Sequence, residues 1–166
     1  MRRRRAPRRN EGEPMFSREL IILDLDVADA QGAIRALGSR LRECGYVAET
    51  FVDAVLDREG TFPTGLPTRI PVAIPHTDAT HCYKPGIAVG VLRHPVEFGE
   101  MGNPQGTVGV RAVFLLSIPD PSQQVECLRA LVEAFQDPHF LPALVASRTT
   151  DEAWEVCQRT FGGTLA

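Results

Sequence analysis

A histidine placed after an apolar run, with an arginine upstream of it, is the pairing in this sequence best suited to chemistry. His76 lies within Val-Ala-Ile-Pro-His-Thr-Asp, residues 72–78. Arg58 precedes it by eighteen residues, in Leu-Asp-Arg-Glu. A histidine offers a nucleophilic ring nitrogen near neutral pH. A guanidinium beside it can hold phosphoryl oxygens in a two-pronged fork and offset their charge. By themselves the two residues are not specific, since a lone histidine at a strand end often has only a structural role.

The elements that must position the pair can be read from periodicity. Ile70 to Ile74 gives a short strand ending at Pro75, so His76 falls at the carboxyl end of a strand, where open α/β sheets place ligands. A helix over about Ala48 to Glu59, stopped by Gly60, carries Arg58. Phe62 to Pro71 holds three prolines and a glycine and reads as a loop. Leu20 to Leu25 is a β-prone run. Ala33, Ile34, Leu37, Leu41 and Cys44 follow at helical spacing, with Asp29 as N-cap and Gly45 as stop.

Further along, Ile87 to Leu92 reads as a strand, with a turn at Arg93 to Pro95 leading into Val96 and Phe98. Val108 to Ile118 is the strongest strand signal, closed by Pro119. From Asp120 to Gln124 an amphipathic helix begins, with Val125, Leu128, Leu131, Val132 and Phe135 inward. Phe140 to Ala146 is a further helix, and Thr149 to Glu152 forms a capping box for the last. Strands mixed with helices at both ends imply one α/β sandwich.

With these motifs in place, the chain resembles the mannitol/fructose-type IIA domains of sugar phosphotransferase systems, nearest their galactitol-type branch. The likeness rests on Arg-Glu-Gly-Thr-Phe-Pro-Thr-Gly-Leu, then Val-Ala-Ile-Pro-His-Thr-Asp, then Ile-Ala-Val-Gly-Val-Leu with Pro-Val, and runs from about Met15 to Phe161. It implies a single-domain sandwich, a mixed β-sheet flanked by helices. It implies that His76 accepts a phosphoryl group from the histidine-containing phosphocarrier protein HPr, that Arg58 clamps the oxygens, and that the group passes to a cognate IIB protein. Thr77 or Asp78 would orient the ring, and no metal or cofactor would be needed. Thr77 stands where many members carry glycine, and Arg69 where a small residue is common. Gln124 stands where many relatives carry a second histidine; it can donate a hydrogen bond to a phosphoryl oxygen but cannot take a positive charge.

Two other readings fit the same residues. One is a regulatory paralogue, phosphorylated on His76 but moving no sugar. The other is a metal-dependent hydrolase built on His76, Asp78 and His81. His81 and Cys82 follow His76 closely, yet the spacing of five suits a helix poorly and no second ligand pair lies elsewhere. His94 and His139 are expected to face solvent.

Composition narrows the class. The chain has 166 residues, 43% of them hydrophobic, enough for one domain with a sizeable core. Its longest apolar stretch, around Ala112 to Ile118, is far shorter than the roughly 20 residues a bilayer crossing needs. No secretory signal follows the basic start, so a cytoplasmic location is expected. Six of the first nine residues are arginine, while the whole chain carries −3. Without residues 1–14 the remainder has 12 basic and 19 acidic residues, which argues against nucleic acid as the main partner. Residues 1–14 read as a disordered leader to a domain over residues 15–166, with Met15 a candidate initiator; the alternative is a basic arm that binds nucleic acid or an anionic membrane surface. Cys44, Cys82, Cys127 and Cys157 are scattered and read as free thiols, the first and last two as core filling.

Overall fold

Two fifteen-residue strands form the spine of the protein: β4 (Gly86–Glu100) and β5 (Asn103–Ser117). They pair antiparallel along most of their length, from Gly86 opposite Ser117 to Glu100 opposite Asn103. Strand β1 (Ile21–Leu25) runs parallel to the first half of β4, and β3 (Val72–Ala73) runs parallel to β5. The two-residue β2 (Gly65–Leu66) pairs antiparallel with β3 and touches β4 through Gly65 and Glu100. Five strands thus make one mixed sheet. The computed structural model describes residues 15–162; the expected leader at residues 1–14 lies outside them, as do residues 163–166.

Side chains alternate across the pleat and feed two apolar layers. Ile87, Val89, Ala112, Phe114 and Leu116 face α3 (Pro121–Phe135), α4 (Phe140–Ala146) and α5 (Thr150–Phe161). Ala88, Leu92, Val113 and Leu115 face α1 (Ala30–Glu43) and α2 (Phe51–Thr61). The sandwich expected from the sequence is present. No helix among the described residues is long and apolar enough to cross a membrane.

Local signals explain most boundaries. Asp29 accepts a hydrogen bond from the Gly32 N–H and caps α1, and Gly45 leaves the helix at φ +79°, a conformation open to glycine. Thr149 accepts from the Glu152 N–H while Glu152 accepts from the Arg148 N–H, the reciprocal bonding of a capping box displaced by one residue.

Several elements differ from expectation. Helix α2 begins at Phe51, not Ala48, and continues through Gly60 to Thr61. The expected loop after it contains β2, where Gly65 is required because a Cβ there would meet the Gly99 carbonyl at 2.5 Å. Strand β3 is shorter than the run that signalled it. Arg93 to Pro95 is not a turn between two strands but a bulge within β4, where the residues between Val91 and Val96 oppose Arg111 alone. Val125 and Val132 do not point inward; they are 58% and 39% exposed. The buried face of α3 is Cys127, Ala130, Leu131, Ala134 and Phe135.

Candidate functional site

His76 leaves the sheet just after β3. Ile74 is buried, and the Pro75 carbonyl accepts a hydrogen bond from the Leu116 N–H at 3.2 Å, so the chain remains tied to β5 up to the residue before the histidine. The His76 ring is half-buried, and its Nδ1 lies 2.8 Å from the Ile74 carbonyl oxygen. A carbonyl can only accept, so the ring proton sits on Nδ1 and the lone pair on Nε2. Burial pulls the His76 pKa below its ordinary value; the Ile74 hydrogen bond opposes this, and the Arg58 charge adds to it. The neutral, nucleophilic tautomer is therefore the form favoured near pH 7.

Arg58 comes from the last turns of α2. Its Nε is buried with no hydrogen-bond partner, and its guanidinium lies 5.4 Å from the centroid of the exposed Phe62 ring. An enclosed donor with no acceptor is costly and points to an anion as the missing partner. The turn carrying it is held by Glu59, whose carboxylate accepts from the Thr64 N–H at 2.9 Å and from the Thr64 hydroxyl at 2.9 and 3.1 Å. Burial pushes the Glu59 pKa up, partly offset by those hydrogen bonds and by Arg58. The sequence reading passed over this clasp, although Glu59 and Thr64 both lie in the Arg-Glu-Gly-Thr-Phe-Pro-Thr-Gly motif.

Gln124 arrives from the first turn of α3, which Asp120 caps through the Ser122 N–H. Its Nε2 donates to the Thr77 carbonyl at 3.0 Å, joining the start of α3 to the residue after His76. Thr77 is buried, whereas Asp78 is exposed and its side chain caps nothing in the turn that follows. The contact that orients the ring comes from Ile74, and Thr77 acts through its backbone. His81 lies apart: its Nδ1 is 2.8 Å from the Thr50 hydroxyl, and its carbonyl accepts from the Ala48 N–H, bracing the approach to α2. His94 and His139 are exposed. Cys127 and Cys157 are buried and pushed up to about 12, so they are inert thiols. Cys82 is buried as well, and Cys44 half-buried.

The site therefore presents one neutral imidazole nitrogen, a guanidinium whose Nε has no hydrogen-bond acceptor, and a braced loop. Such an arrangement can receive a phosphoryl group in line and hold its oxygens, because this reaction asks mainly for positioning and charge stabilisation.

Comparison with known proteins agrees with this chemistry. Residues 14–160 match the family described as "Phosphoenolpyruvate-dependent sugar phosphotransferase system, EIIA 2". The galactitol-specific EIIA component of Escherichia coli K12 is 28% identical over 122 residues, 73% of this chain and 81% of that protein. A "Probable licABCH operon regulator" from Bacillus subtilis is 30% identical over 143 residues, covering 85% of this chain but 21% of the regulator. Among solved structures, the complex of mannitol enzyme IIA with phosphorylated enzyme IIB from E. coli superposes with a TM-score of 0.69 at 28% identity, covering 85% of this chain and 96% of the other.

Proposed function

Since the chain belongs to the EIIA type 2 family of the phosphoenolpyruvate-dependent sugar phosphotransferase system, a family of phosphocarriers, we propose that it takes a phosphoryl group from phospho-HPr onto His76 and passes it to a cognate IIB protein during sugar uptake. The observation that carries this reading is the lone pair left on His76 Nε2 by the Ile74 hydrogen bond, within the field of Arg58, whose buried Nε has no acceptor.

In the forward step Nε2 attacks phosphorus, the N–P bond forms, and the bond from phosphorus to the donor's histidine nitrogen breaks with its electron pair returning to the donor. Arg58 holds the equatorial oxygens, and the ring proton stays on Nδ1, donated to the Ile74 carbonyl oxygen, which stabilises the positive charge that develops on the ring. The return step transfers the group to a nucleophile of the IIB partner by the same in-line path. Phe62 and Val125 are exposed apolar side chains beside Arg58 and Gln124, and they supply a docking rim that the two partners use in turn.

Support for a IIB partner comes from the superposable mannitol IIA–IIB complex, and support for a sugar role from the galactitol-specific relative. The likeness to an operon regulator favours a second reading, in which the phosphorylated chain controls a partner and moves no sugar. The test is onward transfer. The labelled protein, mixed with the IIB protein encoded nearest to it, should lose its label to that protein within seconds. Retention of the label, with no transfer to any IIB protein supplied, would favour the regulatory reading.

A further inference from the structure

Only two side-chain polar atoms among the described residues are buried with no hydrogen-bond partner: Nε of Arg58 and Nε of Arg111. The first is at the phosphoryl site. The second belongs to Arg111, a residue that lines a different place, a cavity of about 370 Å³ bounded by the end of β1, the bulge of β4, the middle of β5 and the end of α4. Arg111 lies five residues along β5 from Leu116, the residue tied to Pro75, so it sits roughly 17 Å down the strand from the His76 end.

The cavity is built with unusual backbone. Asp24 adopts φ +50° at the irregularity of β1, a left-handed conformation costing a non-glycine residue on the order of 1 kcal/mol. That conformation accompanies a two-pronged pairing: both Asp24 carboxylate oxygens accept from Arg93, at 2.9 Å each, and Asp26 accepts from the third nitrogen at 3.1 Å. Arg93 is thereby neutralised and becomes wall. Two further arginines line the same space, Arg111 and Arg148, and neither donates from its side chain to any acceptor among the described residues. The one carboxylate in the lining, Asp24, is already committed to Arg93.

We propose that this cavity is a second anion site, in which Arg111 and Arg148 hold the phosphate or carboxylate group of a small metabolite. Arginine forks bind either group through paired charge-assisted hydrogen bonds, and the volume suits a molecule of metabolite size. The site is separate from His76 and does not depend on the phosphocarrier reading.

The experiment is heteronuclear NMR on the full chain, titrated separately with inorganic phosphate, a hexose phosphate and succinate. The expected result is saturable shifts of backbone amides at Arg111 and from Val145 to Arg148 with at least one probe. Binding should weaken tenfold or more, about the worth of one charge-assisted contact, in Arg111→Gln, and should be unchanged in His76→Ala. Preference for phosphate or for succinate identifies the group. Arg148→Gln, on an exposed side chain that leaves the backbone bond to Glu152 intact, should weaken binding too and decides the matter if Arg111→Gln does not fold. No saturable shift with any probe at roughly 10 mM, shifts confined to the His76 site, or full affinity in the arginine variants would each overturn the proposal.

Discussion

Replacing Arg58 by alanine should separate stability from transfer in opposite directions. In the transition state two charge-assisted hydrogen bonds from the guanidinium to phosphoryl oxygens would be lost, about 1.5–3 kcal/mol each. At about 1.4 kcal/mol per tenfold, that slows phosphoryl acceptance by roughly 10² to 10⁴. In the resting protein the balance differs. Removing a buried donor that has no acceptor returns about 1–3 kcal/mol. Loss of the contact with the exposed Phe62 ring costs about 0.5–1 kcal/mol. The variant should therefore melt at or slightly above the parent temperature. Its His76 pKa should also rise, because one of the two influences holding it down is gone. Calorimetry, stopped-flow transfer from phospho-HPr and histidine NMR titration read the three quantities. Near-normal transfer, or a variant destabilised by several kcal/mol, would show that Arg58 is not an unsatisfied clamp for the phosphoryl oxygens.

Three further outcomes follow from the same geometry. Gln124→Ala removes the donor to the buried Thr77 carbonyl and should cost about 1 kcal/mol in urea unfolding and slow transfer about tenfold, while Gln124→His should retain most of both; parent behaviour in the alanine variant would show the contact to be idle. Because the folded His76 pKa lies below its unfolded value of about 6.5, the unfolded chain binds more protons between the two values, so stability should rise with pH through that window, by at most about 1.4 kcal/mol per pH unit. His76→Ala should lose that slope, and an unchanged slope would assign it elsewhere. Thr64→Val leaves Glu59 only the backbone N–H, so the Glu59 pKa should climb further and transfer should slow modestly as the Arg58 turn loosens; unchanged titration of Glu59 would contradict the clasp.

What could be read from the sequence depended on whether the signal was local. Helix α1 was legible because Asp29 and Gly45 act on their own neighbours, and Thr149 with Glu152 marked α5 in the same way. Arg93-His94-Pro95 has the polarity and proline of a turn, yet pairing with β5 on both sides keeps it as a bulge, where a residue without an N–H is tolerated. Val125 and Val132 fit one helical stripe, but the sheet takes the adjacent stripe centred on Leu131, and nothing in α3 alone distinguishes the two. At the site, His76 and Arg58 stood out as a pair through the motifs around them. The proton position on Nδ1, the Gln124 contact with Thr77 and the Glu59–Thr64 clasp join residues by geometry that residue types do not encode.

The most direct measurement is to phosphorylate the purified protein with enzyme I, HPr and labelled phosphoenolpyruvate, then locate the label by mass spectrometry under alkaline conditions and its ring nitrogen by phosphorus NMR. One acid-labile, base-stable phosphohistidine is expected, at Nε2 of His76, absent from a folded His76→Ala variant and present in His81→Ala. Label on His81, His94 or a cysteine, attachment at Nδ1, or full labelling of His76→Ala would contradict it.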